Sequence, residues 1–294
     1  DWHIKGFASL GAEISEDKGY ITARAKRLTG NTVYFDRPSH TGTENIMFGA
    51  VMAQGTTRII NAACDPEVVD LARFLNQAGA RITGAGAPVM TIDGVDRLGA
   101  VEYAIMGDRL EAGTLLLAGM AAGGTVEVTG TETSHLEMVL KKMMEAGAEI
   151  ETVAGGIRLR AAQRIEPVTV VTFPFPGYPT DLQACIVAVL TRANGISRIR
   201  ETVFEDRFSH IMELRRLGAD IAVAANEATI NGVKRLSGTS VMASDIRAGA
   251  GLVIAGLAAS GTTEVSRVYH IDRGYYRLEE KLAALGADIT RTAV

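Results

Sequence analysis

Arginine follows an acidic residue, near an expected helix start, at four places in this 294-residue chain: Asp108-Arg109, Glu205-Asp206-Arg207, Asp245-Ile246-Arg247 and Asp272-Arg273. A cation at a helix start opposes the helix dipole. A single case needs no more than pairing with the acidic neighbour. Four cases at matching places of related segments point to convergence on an anion. Helix N-termini already favour anions, and a guanidinium adds a two-pronged fork for carboxylate or phosphate. A carboxylate belongs with this set. The stretch Pro179-Thr180-Asp181-Leu182-Gln183-Ala184 sets Asp181 at the first turn of an apolar helix expected over about 182–192, behind the Pro- and Gly-rich approach 173–178. Taken locally, Asp181 is an N-cap. Taken with the arginines, it is a base beside a site for a multiply anionic ligand.

A second group is Pro38-Ser39-His40-Thr41-Gly42-Thr43-Glu44-Asn45. This hydroxyl- and Gly-containing loop opens a helix, where backbone N–H groups can cradle a phosphate or Ser39 can simply cap. No Gly-Lys-Thr/Ser follows, so it is not a P-loop. Other reactive types are poorly placed. Cys64 reads as a small buried residue and Cys185 as an inert member of an apolar helix. His3, His40, His135, His210 and His270 show no metal-ligand spacing, and His210 reads as a polar residue on a helix face. No Gly-x-Ser-x-Gly elbow is present.

The elements that carry these residues repeat. Leu10-Gly11-Ala12-Glu13-Ile14 returns as Ala78-Gly79-Ala80-Arg81-Ile82, Ala146-Gly147-Ala148-Glu149-Ile150, Leu217-Gly218-Ala219-Asp220-Ile221 and Leu285-Gly286-Ala287-Asp288-Ile289, in steps of 68, 68, 71 and 68 residues. Each phrase ends an amphipathic helix, and its Gly suits a C-cap with φ > 0. Alternating strands around a Gly or Asn turn follow, as in 150–159 and 221–230. Small-residue helices end at Gly55, Gly124, Gly195 and Gly261, midway through each unit. The expected unit is βαβαββ, an α/β (α+β) pattern, with four copies over about 24–92, 93–160, 161–231 and 232–294. Residues 1–23 carry only a cap phrase and a hairpin, so the sequence is expected to start partway into a repeat of a longer parent chain.

Bulk properties narrow the function class. A net charge of −4 offers no basic excess for nucleic acid. The longest apolar stretch, about 248–259, falls short of the roughly 20 residues of a membrane helix. Two cysteines make no disulfide framework, which fits a reducing cytoplasm.

Four phrases carry a resemblance: Tyr178-Pro179-Thr180-Asp181-Leu182-Gln183-Ala184, Glu201-Thr202-Val203-Phe204-Glu205-Asp206-Arg207-Phe208-Ser209-His210, Val241-Met242-Ala243-Ser244-Asp245-Ile246-Arg247-Ala248 and His270-Ile271-Asp272-Arg273-Gly274-Tyr275. With them the chain, from Asp1 to Ile289, resembles the enolpyruvyl transferases, in the branch whose acceptor is UDP-N-acetylglucosamine. The resemblance implies repeated βαβαββ subdomains forming a two-domain inside-out α/β barrel. Residues 1–106 would be an incomplete first-half domain, the tail of one repeat plus one full repeat. Residues 107–294 would be a second domain of about three repeats.

The implied partners are UDP-N-acetylglucosamine and phosphoenolpyruvate, with no metal or organic cofactor, no nucleic acid and no membrane. The implied setting is cytoplasmic peptidoglycan biosynthesis, and through it cell wall biogenesis, cell shape and cell division. In the implied reaction the sugar 3-hydroxyl adds to the central carbon of phosphoenolpyruvate and phosphate leaves. By the resemblance Asp181 takes the hydroxyl proton, its pKa raised in a partly dry site. Arg247 and Arg273 serve the enolpyruvyl and phosphate end, and Arg207 is a further arginine of the site. Val203 touches the sugar nucleotide. Arg37, Pro38, Ser39 and His40 fall on the segment that holds the uridine diphosphate, and Asp1 and Trp2 end a segment that contacts the uracil.

The chain departs from the family at two places. It has Ser39-His40-Thr41-Gly42-Thr43 where Ser-Val-Gly-Ala-Thr is usual, and Cys185 where Gln is usual. The family's Lys-Asn pair and acid cysteine would lie upstream of Asp1, so the sequence as it stands is expected to lack the general acid and to be inactive alone. Two other readings are a paralogue with a different acceptor and a sugar-nucleotide-binding fragment without turnover.

Overall fold

The computed structural model describes residues 2–292. Asp1, expected at the uracil end, lies outside the described residues. The chain divides into two compact units, Asp1–Met106 and Gly107–Val294.

The first unit opens with α1 (Trp2–Ser9) and the antiparallel pair β1 (Glu13–Asp17) and β2 (Tyr20–Arg24). A full βαβαββ set follows: β3 (Thr32–Tyr34), α2 (His40–Ala50), β4 (Thr56–Ile60), α3 (Pro66–Gln77), β5 (Arg81–Thr83) and β6 (Val89–Asp93). The sheet order is β3-β4-β6-β5. β3 and β4 are parallel, so they need a crossover, and α2 supplies it. Helix α3 buries Val68, Ala72 and Leu75, spaced to share one helical face. They meet Ile46, Met47, Ile59, Met90 and Ile92 in a core confined to this unit.

The second unit contains α4 (Arg109–Ala122), β7 (Thr125–Thr129), α5 (Glu137–Glu145), β8 (Glu149–Val153) and β9 (Gly156–Arg160). Next come β10 (Thr169–Val171), α6 (Gln183–Leu190), β11 (Ile196–Arg200), α7 (Ile211–Arg216), β12 (Asp220–Ala224) and β13 (Glu227–Asn231). Last are β14 (Leu236–Ser237), β15 (Ser240–Met242), α8 (Ile246–Ala258), β16 (Ala259–Ser260), β17 (Glu264–Ser266), α9 (Tyr269–Asp272) and α10 (Leu278–Ala284). The sheet β10-β11-β13-β12 repeats the order of the first unit's sheet.

Helices α4, α6 and α8 pack against one another. Beyond their first turns they carry no charged residue, and α6 buries all eight of its residues. A helix without a polar face must lie inside. The apolar run expected as a closely packed helix is α8, where a Cβ on Gly251 would stand 2.8 Å from the Ala184 carbonyl oxygen. Sheets and amphipathic helices back these three internal helices, the inside-out α/β arrangement. The repeated cap phrase is realised five times, with Gly11, Gly79, Gly147, Gly218 and Gly286 at φ between +88° and +105°.

Two of the four expected units differ from βαβαββ. Among the described residues no strand directly precedes α4. The approach to it hydrogen-bonds to α3 instead: Gln77 Nε2 donates to Glu102 O, Tyr103 OH to Asp70 Oδ1 and Met106 N to Asp70 Oδ2. With those groups committed, β7, β8 and β9 form a three-stranded sheet. In the last unit the first strand is broken into β14 and β15 at Gly238, where a Cβ would meet the Thr262 carbonyl oxygen. The two pieces pair in parallel with β16 and β17. Among the described residues no hairpin follows α10. No helix among them is long and apolar enough to cross a membrane.

Candidate active site

Asp181 sits in a 3₁₀ turn, Thr180–Leu182, directly before α6. Its Oδ1 accepts from Arg207 Nη2 at 2.8 Å and from Arg247 Nε at 3.0 Å. Sixty-six positions of sequence separate Asp181 from Arg247. The fold joins them because α6 and α8 start side by side. Asp245 makes this start possible: it caps α8, accepting from Arg247 N at 2.8 Å and Ala248 N at 2.9 Å. The cap carboxylate offsets the dipole that Arg247 would otherwise oppose. The Arg247 guanidinium then reaches Asp181 and also donates to Tyr275 OH at 3.4 Å. Tyr275 OH lies 2.9 Å from Thr114 Oγ1 on α4. Arg207 stands over the Phe204 ring, 4.8 Å from its centroid.

Asp181 caps nothing: no helix N–H bonds its side chain. Its side chain is 37% exposed, against 15% for Arg207 and 19% for Arg247, so a ligand can reach the carboxylate past covered cations. Burial pushes its pKa up, but the charges and hydrogen bonds of Arg247 and Arg207 outweigh it and leave the group below the usual carboxylate range. This reverses the raised value that the resemblance implies. The physical reason is the presence of two guanidinium groups on one oxygen.

Arg273 is not brought to this cluster. It is exposed and caps the C-terminal end of α9, where its backbone N–H donates to Ile271 O, and its side chain makes no hydrogen bond or ion pair with a described residue. Its neighbour Asp272 is held by Arg291 at 2.8 and 2.6 Å. The acid–arginine pattern therefore marks true helix starts at α4 and α8, while Arg207 lies in the turns ahead of α7. Arg109 is buried beneath the Asp108 cap, with its guanidinium 5.4 Å from the Phe175 centroid. The Val203 N–H donates to Glu201 Oε1 at 2.8 Å.

Three residues to which the sequence assigned no role support the site: Glu201 and Tyr275, which lie at the ends of two of the quoted phrases, and Thr114, which lies outside them. For Glu201 a signal existed. Ser197 and Ile199 of β11 point inward, and strand alternation carried two residues further makes Glu201 inward as well.

In the first unit Trp2 and Arg37 meet: the guanidinium lies 5.1 Å from the indole centroid, and Phe35 packs edge-on to Trp2 at 6.4 Å. Pro38 leads into Ser39, which caps α2 and accepts from Gly42 N at 3.1 Å. His40 Nε2 is 3.0 Å from Glu44 Oε1 and its Nδ1 is 4.0 Å from Asp65. Burial lowers the His40 pKa, but Glu44, Asp65 and Glu67 more than offset it, and the net shift is upward. His40, Asp65 and Glu67 bring ligand atoms within 4.8 Å of one another, the group among the described residues able to hold a metal ion. It was invisible as a spacing because its members come from two helix starts.

Neither cysteine is activated. Cys185 is buried and its thiol is pushed up to about 11, while burial and Asp65 raise half-buried Cys64. His210 is buried rather than on an open helix face, and burial lowers its pKa to about 4. A cavity of about 720 Å³ in the second unit, floored by α4, α8 and α10, is lined by none of Asp181, Arg207 or Arg247.

Residues 1–282 match the family described as EPSP synthase (3-phosphoshikimate 1-carboxyvinyltransferase). The chain is 51% identical over 291 residues to the UDP-N-acetylglucosamine 1-carboxyvinyltransferase of Desulfosudis oleivorans, covering 99% of this chain and 70% of that one. It is 52% identical to the enzyme of the same name from Myxococcus xanthus, over 99% of this chain and 69% of the relative. Among solved structures, the enolpyruvyl transferase NikO from Streptomyces tendae superposes with a TM-score of 0.88 at 26% identity, covering 98% of this chain and 71% of that one. An EPSP synthase from Acinetobacter baumannii shares the fold, with a TM-score of 0.73 at 17% identity over 97% of this chain and 70% of that one. The chain belongs to the EPSP synthase family of enolpyruvyl transferases, in its UDP-N-acetylglucosamine 1-carboxyvinyltransferase branch.

Proposed function

We propose that the protein transfers the enolpyruvyl group of phosphoenolpyruvate to the 3-hydroxyl of UDP-N-acetylglucosamine and releases phosphate, as the first committed step of peptidoglycan synthesis in the cytoplasm. Relatives at about half identity carry the name of this activity. The observation that carries the chemistry is the Asp181 carboxylate gripped on one oxygen by Arg207 and Arg247.

The arrangement suits addition–elimination. The sugar 3-hydroxyl gives its proton to Asp181 as its oxygen bonds to the central carbon of phosphoenolpyruvate, and the alkene's electron pair takes up a proton at the methylene carbon, from the acid expected upstream of Asp1, to make a methyl group. In the elimination a proton leaves that methyl group, the C=C bond re-forms, and the C–O bond to phosphate breaks with the electron pair departing on phosphate. Both substrates are anionic, and the two guanidinium groups are the local charges that attract them. An incoming phosphate or carboxylate competes with Asp181 for the same forks. As the arginines turn to the ligand, Asp181 loses its counter-charges while its burial remains, so its pKa rises. The carboxylate becomes a stronger base only when substrate is present.

Arg247 serves the phosphate and enolpyruvyl end from its place on α8. Arg273, exposed and unpaired here, joins that end on ligand binding. Val203 and Arg207 complete the sugar-nucleotide side of the second unit. In the first unit Trp2, Arg37, Pro38, Ser39 and His40 form the nucleotide segment, with Arg37 stacked on Trp2 and ready for a diphosphate. Asp1 joins Trp2 at the uracil end by its position in the sequence. Residues 1–106 act as an incomplete first-half domain, and 107–294 as a second domain of about three repeats. The pathway assignment extends to cell wall biogenesis, cell shape and division.

Phosphate release from UDP-N-acetylglucosamine plus phosphoenolpyruvate tests the reading. Turnover with a different acceptor only, or nucleotide binding with no phosphate release by the full protein, overturns it.

A further inference from the structure

We propose that Glu201 is a positioning residue, a single buried carboxylate that holds the Asp181 turn and the Arg207 loop in register with each other. Glu201 is 4% exposed and follows β11. Its Oε2 accepts from Thr180 Oγ1 at 2.9 Å, and Thr180 is the neighbour of Asp181. Its Oε1 accepts from Thr172 Oγ1 at 2.7 Å, Val203 N at 2.8 Å and Phe204 N at 3.0 Å. The ring of Phe204 in turn underlies Arg207, which bonds Asp181. Both ends of the Asp181–Arg207 pair therefore hang from one side chain.

The anchor is itself fixed. Glu201 N donates to Asn226 O at 2.8 Å, and Asn226 Nδ2 donates to Glu201 O at 3.0 Å. On the far side Thr202 N donates to Thr172 Oγ1 at 2.9 Å. A buried carboxylate is costly unless its lone pairs are filled. Here four donors fill them, and no arginine or lysine among the described residues forms an ion pair with Glu201. Apolar side chains would pack a strand end as well; what the carboxylate adds is direction, since its two oxygens face two different loops.

The catalytic consequence rests on the function proposed above, but the positioning role can be read without turnover. The charged and titratable groups that act on Asp181 are Arg207 from the loop, Arg247 from α8 and the Cys185 thiol of α6. In Glu201→Ala the loop is released, Arg207 leaves the carboxylate, and Asp181 titrates at higher pH than in the wild type. Carbon-13 NMR of the aspartate carboxyls, with Asp181→Asn to assign the signal, measures this. Thr180→Val cuts one strut only and moves the same titration in the same direction by less. Turnover falls about ten- to hundredfold in Glu201→Ala, as expected for misplacement of a reacting group by about an ångström. KM for the nucleotide changes less than kcat, and Glu201→Gln, which retains Oε1, recovers most of the rate. If Glu201→Ala fails to fold, Thr180→Val decides. An Asp181 titration unchanged in the folded variants overturns the inference, even where turnover falls. Loss of phosphate release in the wild type would instead overturn the function, leaving the titration to judge Glu201.

Discussion

At the scale of residues, Asp181 is defined by its partners rather than by its place at a helix start. As the proton acceptor it should show a split response. Asp181→Asn is expected to lower kcat about 10²–10⁴-fold, the usual worth of a general base, with nucleotide affinity nearly unchanged. Parallel kinetic and calorimetric titrations measure both, and equal losses in rate and affinity would reduce Asp181 to a binding group. His210 makes a prediction of a different kind. Its folded pKa is lowered to about 4 from an ordinary 6.5, with burial as the first cause. The unfolded chain therefore binds the proton first. The neutral ring is fully compatible with folding above pH 6.5, and stability is lost as pH falls from there toward about 4, by on the order of 3 kcal/mol. Denaturant unfolding at pH 7 and pH 4.5 should show a smaller acid loss in His210→Leu than in the wild type.

At the scale of elements, two glycines separate two physical demands. Gly218 ends α7 at φ +94° with open space where a Cβ would go. Gly218→Ala meets only the left-handed backbone penalty, about 1 kcal/mol. Gly251 answers a different demand, since it lets α8 lie on α6, and a Cβ there stands 2.8 Å from Ala184 O. Gly251→Ala forces the helices apart and is expected to cost more, about 1–3 kcal/mol. Because α6 and α8 carry Asp181 and Arg247 at their starts, Gly251→Ala should also lower turnover, while Gly218→Ala should not. Melting curves and rates for the pair check the order. The cap glycines were legible in the sequence because one requirement, φ > 0, recurs five times. The close approach at Gly251 was not, since its cause is the backbone of another helix.

At the scale of the whole molecule, the cores of the two units share no residue, one drawing on 10–92 and the other on 112–282. Separate cores predict separable unfolding. Leu190→Ala and Ile59→Ala each remove a fully buried side chain, at about 2–5 kcal/mol. Each should lower one calorimetric transition and leave the other in place; a single transition shifted by both would mean that the units unfold together. The repeat, its helix ends and its hairpins were readable along the chain because caps, turns and periodicities are local requirements written at fixed spacings. The missing strand before α4 was not, because the competitor for its hydrogen bonds, Asp70 on α3, is 36 residues from Met106. The site divides in the same way. Residue types and phrases pointed to Asp181, Arg207 and Arg247 by sequence alone. Only the tertiary structure put two guanidinium groups on one carboxylate oxygen, lowered its pKa instead of raising it, left Arg273 apart and set Glu201 behind the pair. Those outcomes depend on distances between elements, and a distance across a fold is a property of packing that no local spacing contains.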